Sequence, residues 1–138
     1  MSKIASDFCS KLPNSTLITL ALLQLPGVGC AKYWQLIQCF GSASALLHLD
    51  DYQLTKAFKG DAKNLWASFS SNPLSSTLGE KLQRILSDLI DLNIELIAWG
   101  DINYPDLLKQ ISRPPALLYL RGKSSCLELP QIAMVGSR

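Results

Sequence analysis

The chain has 138 residues, close to half of them apolar, and a formal net charge of only +2. That is enough apolar mass for a core, in one ordinary domain or two small ones. The charge balance excludes a protein that holds nucleic acid by bulk charge, so any contact with a polyanion has to come from local geometry.

The amino-terminal stretch raises a question of export. Lys3 and Lys11 precede the apolar run Leu17–Leu25, and Cys30 follows Gly29, an order that resembles a lipoprotein signal. Gln24 and Pro26 interrupt the end of the run, and Gly27 stands where a bulky aliphatic residue is wanted. The run is also too short to span a bilayer. The expectation is a cytoplasmic protein without membrane contact.

In chain order, the first two-thirds reads as helices. Asn14 or Ser15 caps a helix carrying Leu17, Leu20, Leu22 and Leu23. Leu25-Pro26-Gly27-Val28-Gly29 stops it and turns the chain into a second helix with Tyr33, Leu36, Ile37 and Phe40, ended by Gly41. Ser42 restarts a helix through Ala45, Leu46, Leu47 and Leu49. Asp50 and Asp61 are expected N-caps of short helices bearing Leu54, Phe58, Leu65, Trp66 and Phe69. Capping also accounts for the Asp50-Asp51 pair better than paired catalytic carboxylates do. Ser68–Ser76 reads as a linker or a capping region. A longer helix from about Thr77 to Leu92 carries one apolar stripe of Leu78, Leu82, Ile85, Leu86, Leu89 and Ile90.

Near Asn93 the pattern changes. Ile94–Trp99, Ala116–Leu120 and Gln131–Val135 are short apolar runs separated by loops and by a short helix after Tyr104-Pro105-Asp106. Apolar runs without alternation predict central strands of an α/β sheet. The reading is therefore a helical domain over residues 1–92 and the first strands of an α/β domain over 93–138. A parallel sheet needs cover on both faces, and none follows Arg138, so the chain is read as an incomplete protein.

Two motifs carry chemistry. The glycine turn at Gly27 and Gly29 between two helices resembles a helix-hairpin-helix. There glycines let the backbone approach a phosphate, and the N–H groups opening the second helix point at it. Lys32 is the nearby cation, giving a secondary phosphate contact at Gly27, Gly29 and Lys32. The bland alternative is a turn that only packs two helices. The second motif is Ile132-Ala133-Met134-Val135-Gly136-Ser137-Arg138, a strand running into a Gly-Ser turn. Ligands bind at such strand ends in open α/β folds, and the Arg138 guanidinium presents a planar donor fork suited to phosphate.

Other residue types point elsewhere. Cys9, Cys30, Cys39 and Cys126 form no C-x-x-C pair, and His48 is the one histidine. Zinc spacing is absent, so no metal and no cofactor is expected, and the thiols are read as reduced, unpaired and mostly buried. Trp34, Trp66 and Trp99 sit among apolar neighbours and are assigned to the core rather than to base stacking. Lys56, Lys59 and Lys63 read as a solvated face.

Taken together and in order, the motifs resemble the DNA-processing protein A (DprA/Smf) family. Leu25–Gly29, Phe40-Gly41-Ser42 and Leu46-Leu47 match its amino-terminal helical, SAM-like domain. Tyr104-Pro105-x-Leu107-Leu108, Ile111, Pro114-Pro115, Leu118-Tyr119-x-x-Gly122 and Ile132–Arg138 match the opening of its Rossmann-like domain, and this part is the specific one. The resemblance implies a cytoplasmic protein that binds single-stranded DNA during natural transformation, helps load the RecA recombinase and self-associates, without catalysis. It assigns DNA binding to Gly136, Ser137 and Arg138. Two other readings stand beside it. One is a Rossmann-like nucleotide-processing hydrolase, for which the chain holds no glycine-rich acidic motif and no Ser/His/Asp or Cys/His set. The other is a bare helical interaction module.

Overall fold

The computed structural model describes residues 14–137. In order they form α1 (Asn14–Leu23), α2 (Cys30–Phe40), a 3-10 turn (Ser44–His48), α3 (Asp51–Ala57), α4 (Asp61–Ser71), α5 (Thr77–Asp91), β1 (Glu95–Ala98), α6 (Asp106–Lys109), β2 (Leu117–Leu120) and a second 3-10 turn (Ser124–Glu128). The class is α+β, with most of the structure helical and a single pair of strands. None of these helices is long and apolar enough to cross a membrane.

Helix α1 is the centre of the molecule. Thr16, Ile18, Thr19, Leu20, Ala21 and Leu22 are all buried, so the helix has no solvated face. A helix apolar all round belongs inside. It meets α2, the first 3-10 turn, α5 and both strands. Thr19 tolerates burial because its Oγ1 donates to Ser15 O at 2.8 Å and lies 3.3 Å from the Tyr33 hydroxyl. Thr16 Oγ1 is buried and finds no such partner among the described residues.

The helix ends follow local chemistry. Asp50 caps α3 by accepting from Gln53 N at 2.8 Å, and Gln53 Oε1 accepts from Asp50 N at 3.1 Å, a reciprocal capping box. Asp61 does not cap α4 as expected: Gly60, at φ 59°, holds the cap position and Asp61 is the first helical residue. Only glycine takes that backbone without strain, and Asp61 in the first turn still complements the helix dipole. Ser42 is followed by a 3-10 turn rather than an α-helix, and its Oγ accepts from Ala45 N at 3.3 Å. The serine-rich stretch divides: Ser68–Ser71 belong to α4, and Ser76 caps α5 through Gly79 N at 3.0 Å.

Of the stripe read from the sequence, helix α5 buries Leu78, Leu82, Leu86 and Leu89, while Ile85 and Ile90 are half-buried. It closes with Asn93 in the left-handed region at φ 55°. Ile94 N then donates to Leu89 O at 2.8 Å and Asn93 N to Ile90 O at 3.0 Å. This is a Schellman stop, and it turns the chain directly into β1.

At the other end of α5, Gly79 has no room for a side chain. A Cβ there would lie 1.7 Å from Pro73 O, a backbone atom. Gly79→Ala is therefore expected to cost roughly 1–3 kcal/mol through forced backbone movement. Urea denaturation followed by circular dichroism measures it; an unchanged midpoint would refute the close approach.

The strands pair antiparallel, with Glu95 opposite Leu120, Leu96 opposite Tyr119, Ile97 opposite Leu118 and Ala98 opposite Leu117. This corrects the expectation of parallel central strands for these two runs. The segment 99–116 reverses the direction before β2, so no crossover helix is needed between them. Leu96, Ala116 and Leu117 join the helical residues in one continuous core. The expected third strand does not form. Residues 131–137 carry no strand, and Ile132, Met134 and Val135 are 94, 95 and 97% exposed. A strand exists only by pairing, and no segment among the described residues lies beside this one to supply ladder partners.

Candidate nucleic-acid interface

A glycine turn joins α1 and α2, at the position where the sequence places one. Gln24 N donates to Ala21 O, Leu25 N to Leu22 O and Val28 N to Leu25 O, tightening the end of α1 into a turn. Gly27 sits at φ 76°, which excludes most other residues there. Gly29 is extended and precedes the first residue of α2, and Tyr33 N already bonds to its carbonyl at 2.9 Å. Gly27 and Gly29 are exposed, while Lys32 is half-buried. The N–H groups of the first turn of α2 thus open on an accessible glycine turn.

The structure ties this hairpin to a distant part of the chain. Trp34 Nε1 donates to Pro114 O at 2.7 Å, and Cys30 Sγ to the same carbonyl at 3.3 Å. The Trp34 ring also meets Trp99 edge-on, with centroids 5.4 Å apart, and Tyr33 likewise at 5.2 Å. Tyr104, itself buried, donates to Pro115 O at 2.7 Å. The two prolines leave their carbonyls free of any ladder; Cys30 and Trp34, far away in sequence, and the nearer Tyr104 converge on them. Arg113 is exposed next to this junction, and its backbone carbonyl lies 4.0 Å from Cys30 Sγ.

The junction yields two expected results. Trp34→Phe keeps an aromatic ring but removes the donor to Pro114 O. A stability loss of about 1 kcal/mol is expected from chemical denaturation, and no loss would mean that the bond contributes nothing net. Burial raises the pKa of the Tyr104 phenol above its ordinary value of 10.0, with the neighbouring Cys30 charge adding to the effect. A raised pKa for an acid means that the neutral phenol is favoured in the fold. The associated stability is complete below the ordinary phenol range and is lost as pH rises through the folded value. Ultraviolet titration should show a late-ionising tyrosine that disappears in Tyr104→Phe; a titration unchanged by that substitution would refute the assignment.

Outside the junction the aromatic and cysteine readings divide. Trp66 is fully buried, while Trp34 is half-buried and Trp99 is 41% exposed, so Trp99 is not a core residue. Its ring is held at the surface against Trp34 because the chain turns at Gly100, where Asp101 Oδ2 accepts from Ala98 N at 2.7 Å. Cys30, Cys39 and Cys126 are free thiols, but Cys39 and Cys126 are exposed, against the expectation of burial, because they fall on the solvent sides of α2 and the second 3-10 turn. Cys9 lies outside the described residues. No three His, Cys, Asp or Glu side chains among the described residues gather as a metal site. Lys63 pairs with Asp51 at 3.0 Å, and Lys56 lies over the Tyr52 ring at 4.5 Å.

Gly136 and Ser137 lie in the exposed segment after Pro130, in no regular structure, and Arg138 lies outside the described residues. Residues 95–138 match the family model of DNA recombination-mediator protein A. The match covers the last third of the chain and marks a similarity of that segment to the family. The matched segment begins at the first residue of β1 and takes in Trp99, Tyr104, Pro114 and both strands. The glycine turn lies outside it. No curated protein and no solved structure matches the chain.

Proposed function

We propose that this protein acts in DNA recombination by binding single-stranded DNA through its backbone phosphates, without catalysing a reaction on it. The match of residues 95–138 to the recombination-mediator family carries this reading. Local features support it. An exposed glycine turn with Gly27 at φ 76° leads into α2, in the manner of a helix-hairpin-helix within a SAM-like helical unit. Gly27, Gly29 and Lys32 supply the secondary contact. Gly136, Ser137 and Arg138 form the principal contact, at the opening of a Rossmann-like unit that starts after residue 92.

The partners in this reading are single-stranded DNA, the RecA recombinase and further copies of the same protein, in the cytoplasm during natural transformation. Phosphate recognition carries no sequence information and releases counterions. Labelled single strands of different base sequence should therefore bind alike in a fluorescence anisotropy titration, and more weakly at higher salt. Binding that is indifferent to salt, or confined to one base sequence, would contradict the proposal.

A further inference from the structure

We draw no further inference here: the strongest candidate, the apolar groove on the outer face of the β1–β2 pair between Ile97, Leu107, Leu118 and Leu129, carries nothing because nothing in the structure shows what covers it.

Discussion

Trp66→Ala is expected to destabilise the chain by about 3–5 kcal/mol. Trp66 is fully buried, the largest side chain in that condition. Its ring packs against Phe58 and Phe69, with centroids 5.9 and 5.3 Å away. Its Nε1 donates to Leu46 O at 2.7 Å, so removal leaves a cavity and an unpaired buried carbonyl at once. Domains are stable by only about 5–15 kcal/mol, so such a loss removes a large part of the total. Trp66→Phe separates the two terms, since it fills most of the cavity and lacks only the donor. Urea unfolding followed by circular dichroism gives both values. A loss below about 1 kcal/mol for Trp66→Ala would mean that the site collapses around the smaller side chain.

What could be read from the sequence follows from how local each signal is. The Asp50–Gln53 capping box, the Leu78–Leu89 stripe and the turn at Gly27 involve residues a few positions apart, and their chemistry is complete within one stretch of chain. The central place of α1 was not legible in this way. Its apolar residues predicted a helix, but its burial comes from α2, the first 3-10 turn, α5 and both strands together. The tie between Trp34 and Pro114 spans 80 positions and leaves no periodic trace. Trp99 shows the same limit: apolar neighbours in sequence are not neighbours in space. The strand pair was visible as two apolar runs, but its antiparallel direction depends on the path of residues 99–116. For residues 131–135 the composition of a strand was present, and the pairing partner that makes one was not.

The candidate site divides along the same line. Glycine at Gly27 is demanded locally and could be inferred. The approach of the Arg113–Pro114 backbone to the start of α2 depends on Cys30 and Trp34 reaching the Pro114 carbonyl, which only the folded chain displays.

The second large effect is expected at Arg138. Under the proposed reading its guanidinium contacts a phosphate next to the backbone of Gly136 and Ser137, where no bulky side chain intervenes. Arg138→Ala should weaken binding of single-stranded DNA to the same degree for every base sequence, because a phosphate contact positions the strand without reading it. One lost contact releases one fewer counterion, so the slope of log affinity against log salt should fall by about 0.7 for a single strand. Circular dichroism should be unchanged, since the residues leading to this position are exposed and outside the core. Lys32→Ala supplies the comparison at the secondary contact, with a smaller loss expected. The decisive measurement is anisotropy titration of labelled single strands into the parent protein and Arg138→Ala across a series of salt concentrations. The account predicts weaker binding and a shallower salt slope for Arg138→Ala; equal affinity and equal slope for the two proteins would contradict it.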